Sequence, residues 1–373
     1  MQGQGNSSCL AICKNTKVEI PIETENSHLR GLKLSKAAAV VFGILWGIDG
    51  YYKFQMNLYA QLPSIVQGAG VGQPPFLSGW FSFWSGVAAS QPMLITYAVG
   101  MLELAISFAL ITGFLRKFAY IGGMAVGLFI WAIPEGFGGP YGPGSVDLGG
   151  GNIYALGLLF LLIIDATYGP SPFTLDAVIE KRVAWWNKLA EIRYDTGRRV
   201  WKAISDKSMH LSRVTAIIFG TVYALEAFLA FYYNLPNNIV SVVSDQASGA
   251  PAFLNGWFAF WLGQVTAAPV FYAYLVGGLE AALAFSLLCG FARKTAYIGG
   301  AVFAIIAWGV GEGFGGMPVP GYTDPGTGIV QAIAMLILLG LNSLHGTDPF
   351  TVDAIIEKSH KWWRKIAELS PAA

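Results

Sequence analysis

The chain nearly repeats itself: residue i lies over residue i+177 without a gap through most of each half. GFLRKFAYIGGMAVGLFIWAIPEGFGG, from Gly113 to Gly139, lies over GFARKTAYIGGAVFAIIAWGVGEGFGG, from Gly290 to Gly316, with 15 of 27 positions identical. FLSGWFSFW from Phe76 answers FLNGWFAFW from Phe253, and PFTLDAVIEK from Pro172 answers PFTVDAIIEK from Pro349. A duplicated sequence builds one supersecondary unit twice. Any chemistry assigned to one half therefore has a built-in control in the other.

What the unit is made of follows from its hydrophobicity. The chain is 54% hydrophobic and 12% charged, where a soluble domain carries about 25% charged residues. A helix of about 20 apolar residues spans a hydrocarbon core of roughly 30 Å, and eight segments qualify, near Leu34–Tyr52, Pro92–Gly113, Phe118–Pro134, Gly151–Thr167, Leu211–Tyr232, Pro269–Gly290, Thr295–Gly311 and Gly328–Ser343. Four crossings return the chain to its starting side, so both halves enter with the same polarity. The expected fold is an all-α integral membrane protein of eight transmembrane helices, arranged as two tandem four-helix bundles in parallel orientation with interfacial amphipathic helices. Its parts are an N-terminal arm (1–32), a first unit (33–195), a linker (196–209) and a second unit (210–373). Alternating sides along the chain puts 22 of the 23 Lys and Arg together, with Lys53 alone opposite. Basic loops stay cytoplasmic, so both termini, the arm and the linker are expected on the cytoplasmic side of the cell membrane, with no secretory signal in the first 30 residues.

Two amphipathic elements recur per unit. Trp80, Phe81, Phe83 and Trp84, answered by Trp257, Phe258, Phe260 and Trp261, have the composition of an outer aromatic belt. The segments after Thr174 and Thr351 combine a capping threonine with the pairs Trp185-Trp186 and Trp362-Trp363, as an interfacial helix does. Anchoring in the lipid bilayer is the first reading and partner docking the second.

Ionisable residues inside apolar helices mark candidate functional sites. Asp49 stands 13 residues past Lys36, and Glu103 stands 13 before Arg116. At 1.5 Å per residue both sit about 20 Å from the basic boundary. Glu226 and Glu280 repeat the arrangement from Arg213 and Arg293. Two carboxyls at one depth in a low dielectric share a proton, which suits quinone chemistry or proton-coupled transport; alternatively each holds helices together through hydrogen bonds. Further out, Glu135 and Glu312 each open an EGFGG loop, followed by Asp147 or Asp324 before the fourth helix. Those aspartates suit helix capping, while the loop N–H groups of Gly138 and Gly139, with Lys53, suit a small anion.

Other chemistries are disfavoured. A net charge of +1 gives no attraction to nucleic acid. Cys9 and Cys13 lie far from Cys289, and all four histidines fall in the arm, linker or tail region, so no haem, iron–sulfur cluster or metal site is expected.

The repeated turns LELAISFALITGFLRK and LEAALAFSLLCGFARK resemble the DoxX/DoxD superfamily, and the loops EGFGGPYGPGSVDLGGGNIYAL and EGFGGMPVPGYTDPGTGIVQAI resemble its DoxD branch. The resemblance covers about 320 of the 373 residues and implies the membrane subunit of a thiosulfate:quinone oxidoreductase, which joins two thiosulfates into tetrathionate and passes two electrons to membrane quinone. DoxD proteins hold one unit and work with a small DoxA partner; this chain is a tandem. On that reading the catalytic carboxyls are Glu103, Asp49 and Glu135, with Glu280, Glu226 and Glu312 as second-unit counterparts. The quinone lies by Tyr97 and Trp131, and thiosulfate approaches Lys53, Gly138 and Gly139. Two alternatives belong to other classes: a non-catalytic scaffold subunit of a respiratory complex such as a terminal oxidase, and a proton-coupled transporter.

Overall fold

The computed structural model describes residues 22–55, 57–138, 148–168, 171–191, 201–232, 235–248, 250–316, 325–346 and 348–369. Among them every regular element is helical. The first half contains α1 (Ile22–Gln55), α2 (Leu58–Ala69), α3 (Ser78–Ser90), α4 (Pro92–Thr112), α5 (Arg116–Ala132), α6 (Gly150–Tyr168), α7 (Leu175–Glu180) and α8 (Asn187–Ala190). The second repeats it with α9 (Trp201–Tyr232), α10 (Leu235–Ser248), α11 (Asn255–Ala267), α12 (Pro269–Cys289), α13 (Arg293–Gly311), α14 (Thr327–His345), α15 (Val352–Ser359) and α16 (Arg364–Ala367).

Six helices are long and apolar enough to cross a membrane: Leu29–Phe54, Pro92–Thr112, Ser212–Tyr232, Pro269–Cys289, Arg293–Gly311 and Thr327–Leu344. In the first half, α5 is the shorter helix, at 17 residues. Pro134 stands where the second half has Gly311, and a proline disfavours helix at the residue before it; α5 accordingly stops at Ala132. Helix α6 has 19 residues, as its counterpart α14 has. Long helices also reach beyond the expected boundaries: α1 begins inside the N-terminal arm and α9 inside the linker.

In each half the first long helix packs along the second, α1 on α4 and α9 on α12, and the third on the fourth, α5 on α6 and α13 on α14. Helices α1, α6, α9 and α14 meet between the halves. One continuous apolar core joins them, including Phe160 and Phe219 with ring centroids 6.0 Å apart.

The recurring Gly-Phe-x-Arg turn is explained by backbone geometry. Gly113 and Gly290 close α4 and α12 in the left-handed region, at φ 72° and 65°, where a glycine carries no steric penalty. A β-carbon there would also strike Thr174 or Thr351. These threonines cap α7 and α15, accepting from the Ala177 and Ala354 N–H groups at 3.3 and 3.2 Å. The end of each half remote from the Gly-Phe-x-Arg turn carries two short helices, not one. Besides the expected α3 and α11 there are α2 and α10, which the interior Pro63 of α2 conceals in the sequence, since proline ordinarily breaks a helix.

Candidate functional site

The helix pair α1–α4 is drawn together by small residues. A β-carbon on Gly50 would come within 3.0 Å of the Gly100 carbonyl oxygen, and one on Gly100 within 2.8 Å of the Phe54 ring. Small residues permit such close backbone approach between membrane helices. It sets Asp49 and Lys53, one turn apart on α1, against Glu103 on α4. The Lys53 ammonium lies 2.5 Å from Asp49 Oδ1 and 2.8 Å from Glu103 Oε2, with all three residues buried.

The two carboxylates therefore do share a level, as their spacing predicts, but a lysine stands between them. Its ammonium pairs with each of them, where the spacing suggests a proton shared directly between the two. It also corrects the anion assignment of Lys53: one positive charge already faces two negative ones, and the surplus repels an anion.

Beside this triad is a cavity of about 120 Å³. Its floor is Asp49, Lys53, Trp46 and Tyr154, and its walls are largely apolar, contributed by α2, α3, α4, α5 and the start of α6. Three of its lining residues carry buried donors with no hydrogen-bond partner among the described residues: the indole nitrogens of Trp46 and Trp84 and the hydroxyl of Thr96. Trp46 and Thr96 are 1% and 3% exposed. Buried polar atoms rarely stay unpaired, so each such group calls for an explanation. Acceptor oxygens of a ligand in the cavity would supply one.

The second half has the same backbone and different filling. Lys53, Leu62, Val66, Ala88 and Thr96 correspond to Ala230, Ile239, Val243, Val265 and Ala273, and those five pack into an apolar cluster. Ile95 becomes Tyr272, which packs on the same cluster. Tyr223 and Trp261 keep unpartnered polar atoms, but the cation and the threonine are gone. Gln331, where the first half has Tyr154, donates to both oxygens of Glu226 at 2.8 and 3.0 Å, so an amide there does part of the work of Lys53.

The remaining expected residues are brought elsewhere. Glu135 lines the cavity, yet both its oxygens accept from the Gly151 N–H at 3.0 Å. It caps α6 from across the loop, as Glu312 caps α14 through Gly328 N–H at 3.1 and 3.2 Å and the Thr327 hydroxyl. A carboxylate at a helix N-terminus satisfies orphan donors and the helix dipole together. Asp147 and Asp324, expected in that role, lie outside the described residues, as do Gly139, Cys9 and Cys13.

Trp131 is not a cavity residue. Its indole donates to the Leu148 carbonyl at 2.7 Å, and Trp308 does the same to Pro325 at 2.6 Å. Each tryptophan pins the returning chain to the third long helix. Nor does Tyr97 line the cavity: it stacks on Phe54, with centroids 5.2 Å apart, and meets Tyr59 edge-on. Gly138 does not offer a free anion cradle. Its N–H donates to Glu135 O at 3.0 Å, and that of Phe137 to Trp131 O at 2.8 Å. Three successive left-handed residues, Gly136, Phe137 and Gly138, coil these donors inward. Phe137 bears that conformation, unfavourable for a residue with a β-carbon, because its ring packs against Trp80, Phe81 and Trp131; Phe314 repeats it at φ 58°.

Trp46, Trp84, Thr96 and Tyr154 were not legible as site residues from composition or depth. Their signal was the contrast between halves, where Trp46, Thr96 and Tyr154 face Tyr223, Ala273 and Gln331. No group of three or more His, Cys, Asp or Glu suited to a metal occurs among the described residues.

No protein-family model, curated protein or solved structure matches this chain. Its class is that of an all-helical protein with several membrane-crossing helices.

Proposed function

We propose that the first half is the quinone-binding unit of a membrane oxidoreductase, and that the second half is its structural counterpart. One observation carries this reading: a largely apolar cavity beside the buried triad of the first half, three of whose lining residues carry buried donors with no hydrogen-bond partner among the described residues. A neutral ring bearing carbonyl oxygens fits that donor set better than an anion does, because no net positive charge is available. Trp46, Trp84 and Thr96 would hold such oxygens, with the apolar walls excluding water. A quinone supplies a two-electron, two-proton acceptor when bound. Asp49 and Lys53 lie at the cavity floor, with Glu103 behind them against Lys53, where protons for that reduction have to be delivered.

Thiosulfate as donor rests on the DoxD resemblance. Oxidation of two thiosulfates to tetrathionate releases two electrons and matches the reduction of one quinone. On the same resemblance the thiosulfate reaction works with a partner, a small DoxA-like subunit or a subunit of a larger respiratory complex.

The same reading completes the architecture. Helices α13 and α14 are 19 residues long, as is α6, and α5 has 17. Eight crossings in two parallel units follow, with the basic ends and both termini on the cytoplasmic side. The apolar cluster that replaces the cavity supports a scaffold role for the second half.

The test is thiosulfate-dependent reduction of a short-chain quinone by the purified chain with its associated subunits, with tetrathionate assayed in parallel. One tetrathionate per quinone reduced is expected, with Glu103→Gln lowering turnover far more than Glu280→Gln. Equal, negligible effects of the two variants would overturn the placement of the site. Absence of turnover in a preparation that retains its partners would overturn the reaction.

A further inference from the structure

The basic ends of the two halves are built on one plan and filled differently. In the first, Arg116 Nη1 and Nε lie 3.1 Å from Asp165 and Asp176, and Nη2 binds Glu191, so each nitrogen of the guanidinium has a carboxylate. In the second, one such pair remains among the described residues: Arg293 Nε lies 2.9 Å from Asp353. Asp353 also accepts the N–H groups of Ala292 and Arg293, at 2.7 and 3.1 Å, and the Trp363 indole at 2.7 Å. Asp176 does the same with Leu115, Arg116 and Trp186. That much is common to both copies.

The other two nitrogens of Arg293 are treated differently. Asn342 replaces Asp165, and its amide is turned to residues 367–369, donating to Ala367 O at 3.4 Å and accepting the Leu369 N–H at 3.3 Å. Glu368 stands in the place of Glu191, without an ion pair to Arg293 among the described residues. Arg293 Nη1 accordingly reaches the Gly346 carbonyl at 3.5 Å. Its Nη2, on a residue only 6% exposed, has no hydrogen-bond partner. An acceptor is left over in the same place. Asp348, where the first half has Ser171, accepts the Phe350 N–H through Oδ1 at 2.8 Å. Its Oδ2 is buried without a hydrogen-bond partner, 3.8 Å from His210 Nδ1. Arg293 and Asp348 line one cavity of about 10 Å³, together with Ser212 and Tyr297.

A buried guanidinium nitrogen and a buried carboxylate oxygen are both costly to leave unpaired. We propose that this cavity binds a single water molecule, which accepts from Arg293 Nη2 and donates to Asp348 Oδ2, and so does for the second half what the Asp165 and Glu191 carboxylates do for the first. The chemistry of the site selects that ligand. An inorganic anion or a lipid phosphate would meet the Asp348 carboxylate, and a metal ion would meet the Arg293 guanidinium. The space is that of about one water. A small neutral molecule that both donates and accepts answers both groups at once. Buried waters make about three hydrogen bonds each, and the hydroxyls of Ser212 and Tyr297 in the cavity wall offer a third. The neighbouring cation, Arg213, is committed elsewhere: its terminal nitrogens donate to Leu287 O and Leu288 O at the end of α12. The water joins α13 to the segment that leads into α15, in one half only, and is independent of what the first-half cavity binds.

The experiment is a density map of the full-length protein in lipid nanodiscs, at a resolution that shows buried waters. One isolated peak within about 3.2 Å of both Arg293 Nη2 and Asp348 Oδ2 is expected, with no counterpart beside Arg116. Asp348→Ser, which copies the first half, should abolish the peak. Ser171 shows that a serine still caps this turn, accepting the Phe173 N–H at 3.3 Å, so the variant removes the acceptor for the water and little else. Its thermal midpoint should fall by about 2 °C, and Ser171→Asp should bring no water to Arg116. The wild-type map decides the matter even where the variant does not fold. A larger, branched density would make the site one for an anion, and direct contact of Arg293 Nη2 with a carboxylate would make it an ion pair. Either result would overturn the proposal, as would a peak that is missing while other buried waters are resolved, or one that persists unchanged in Asp348→Ser.

Discussion

The two halves of this chain share a backbone and divide the chemistry. Where the first half holds Lys53 between Asp49 and Glu103 and leaves a cavity, the second has Ala230, Ala273 and Val265 in an apolar cluster and steadies Glu226 with Gln331. At the basic end the direction is the same: Asn342 stands in the second half where Asp165 pairs with Arg116 in the first. Elements that shape the fold, by contrast, are kept in both halves. These include the left-handed Phe137 and Phe314, the Trp131 and Trp308 pins, the Glu135 and Glu312 caps, and the Asp176 and Asp353 clusters. Duplication thus separates what the unit needs to fold from what one copy needs to work.

Substitutions can break that division in order of expected effect. The largest should follow Lys53→Ala, which leaves two buried carboxylates facing each other without their cation. Removing one partner of a buried ion pair costs roughly 3–5 kcal/mol. The thermal midpoint should fall well below that of Glu226→Gln, the nearest change in the half without a lysine. Equal losses would mean that the triad does not hold α1 to α4.

Next come the donors of the cavity. Each unpartnered group that gains a ligand oxygen contributes about 1 kcal/mol, so Thr96→Val and Trp46→Phe should each weaken short-chain quinone binding roughly five-fold, the second with some loss of stability because Trp46 is a core side chain. Adding the missing hydroxyl to the second half, Ala273→Thr, should leave binding unchanged.

Smaller and equal effects are expected at the caps. Glu135→Gln and Glu312→Gln each weaken the hold on a helix N-terminus, worth about 1 kcal/mol, and chemical-denaturant unfolding should report the same loss for both. A loss of binding with Glu135→Gln alone would give that residue a role in the cavity as well.

The shallowest effect is that of pH on stability. Burial, with Asp165 nearby, pushes the Glu191 carboxyl up to about 8 although Arg116 opposes the shift, so it contributes stability in full below about 4.5, and this is lost as pH rises through about 8. Thermal midpoints should therefore decline across that interval in the wild type and less steeply in Asp165→Asn.

The long helices, the repeat and the shared level of Asp49 and Glu103 were legible because each depends on period, length or spacing, which a sequence displays directly. The partner of those carboxylates was not. Lys53 follows Asp49 by one turn, so its proximity to that residue was available, but its reach to Glu103 depends on how closely Gly50 and Gly100 let α1 and α4 approach. Trp131 and Tyr97 were misplaced for a related reason: depth along a helix is readable, whereas the face a side chain presents depends on packing partners far away in sequence. The loop at Gly138 looked like an anion cradle because glycines expose N–H groups; in the folded chain those groups turn inward onto Trp131 and Glu135. Helix α2, which lines one side of the cavity, was concealed by Pro63.

Binding stoichiometry tests the division of labour most directly. Titrating the purified chain with a short-chain quinone, and following quenching of tryptophan fluorescence, should give one saturable site per chain that is weakened in the double variant Thr96→Val, Trp46→Phe and unaffected by Ala273→Thr. Two equivalent sites, or one site indifferent to the first-half variant, would contradict the assignment of the cavity to the first half alone.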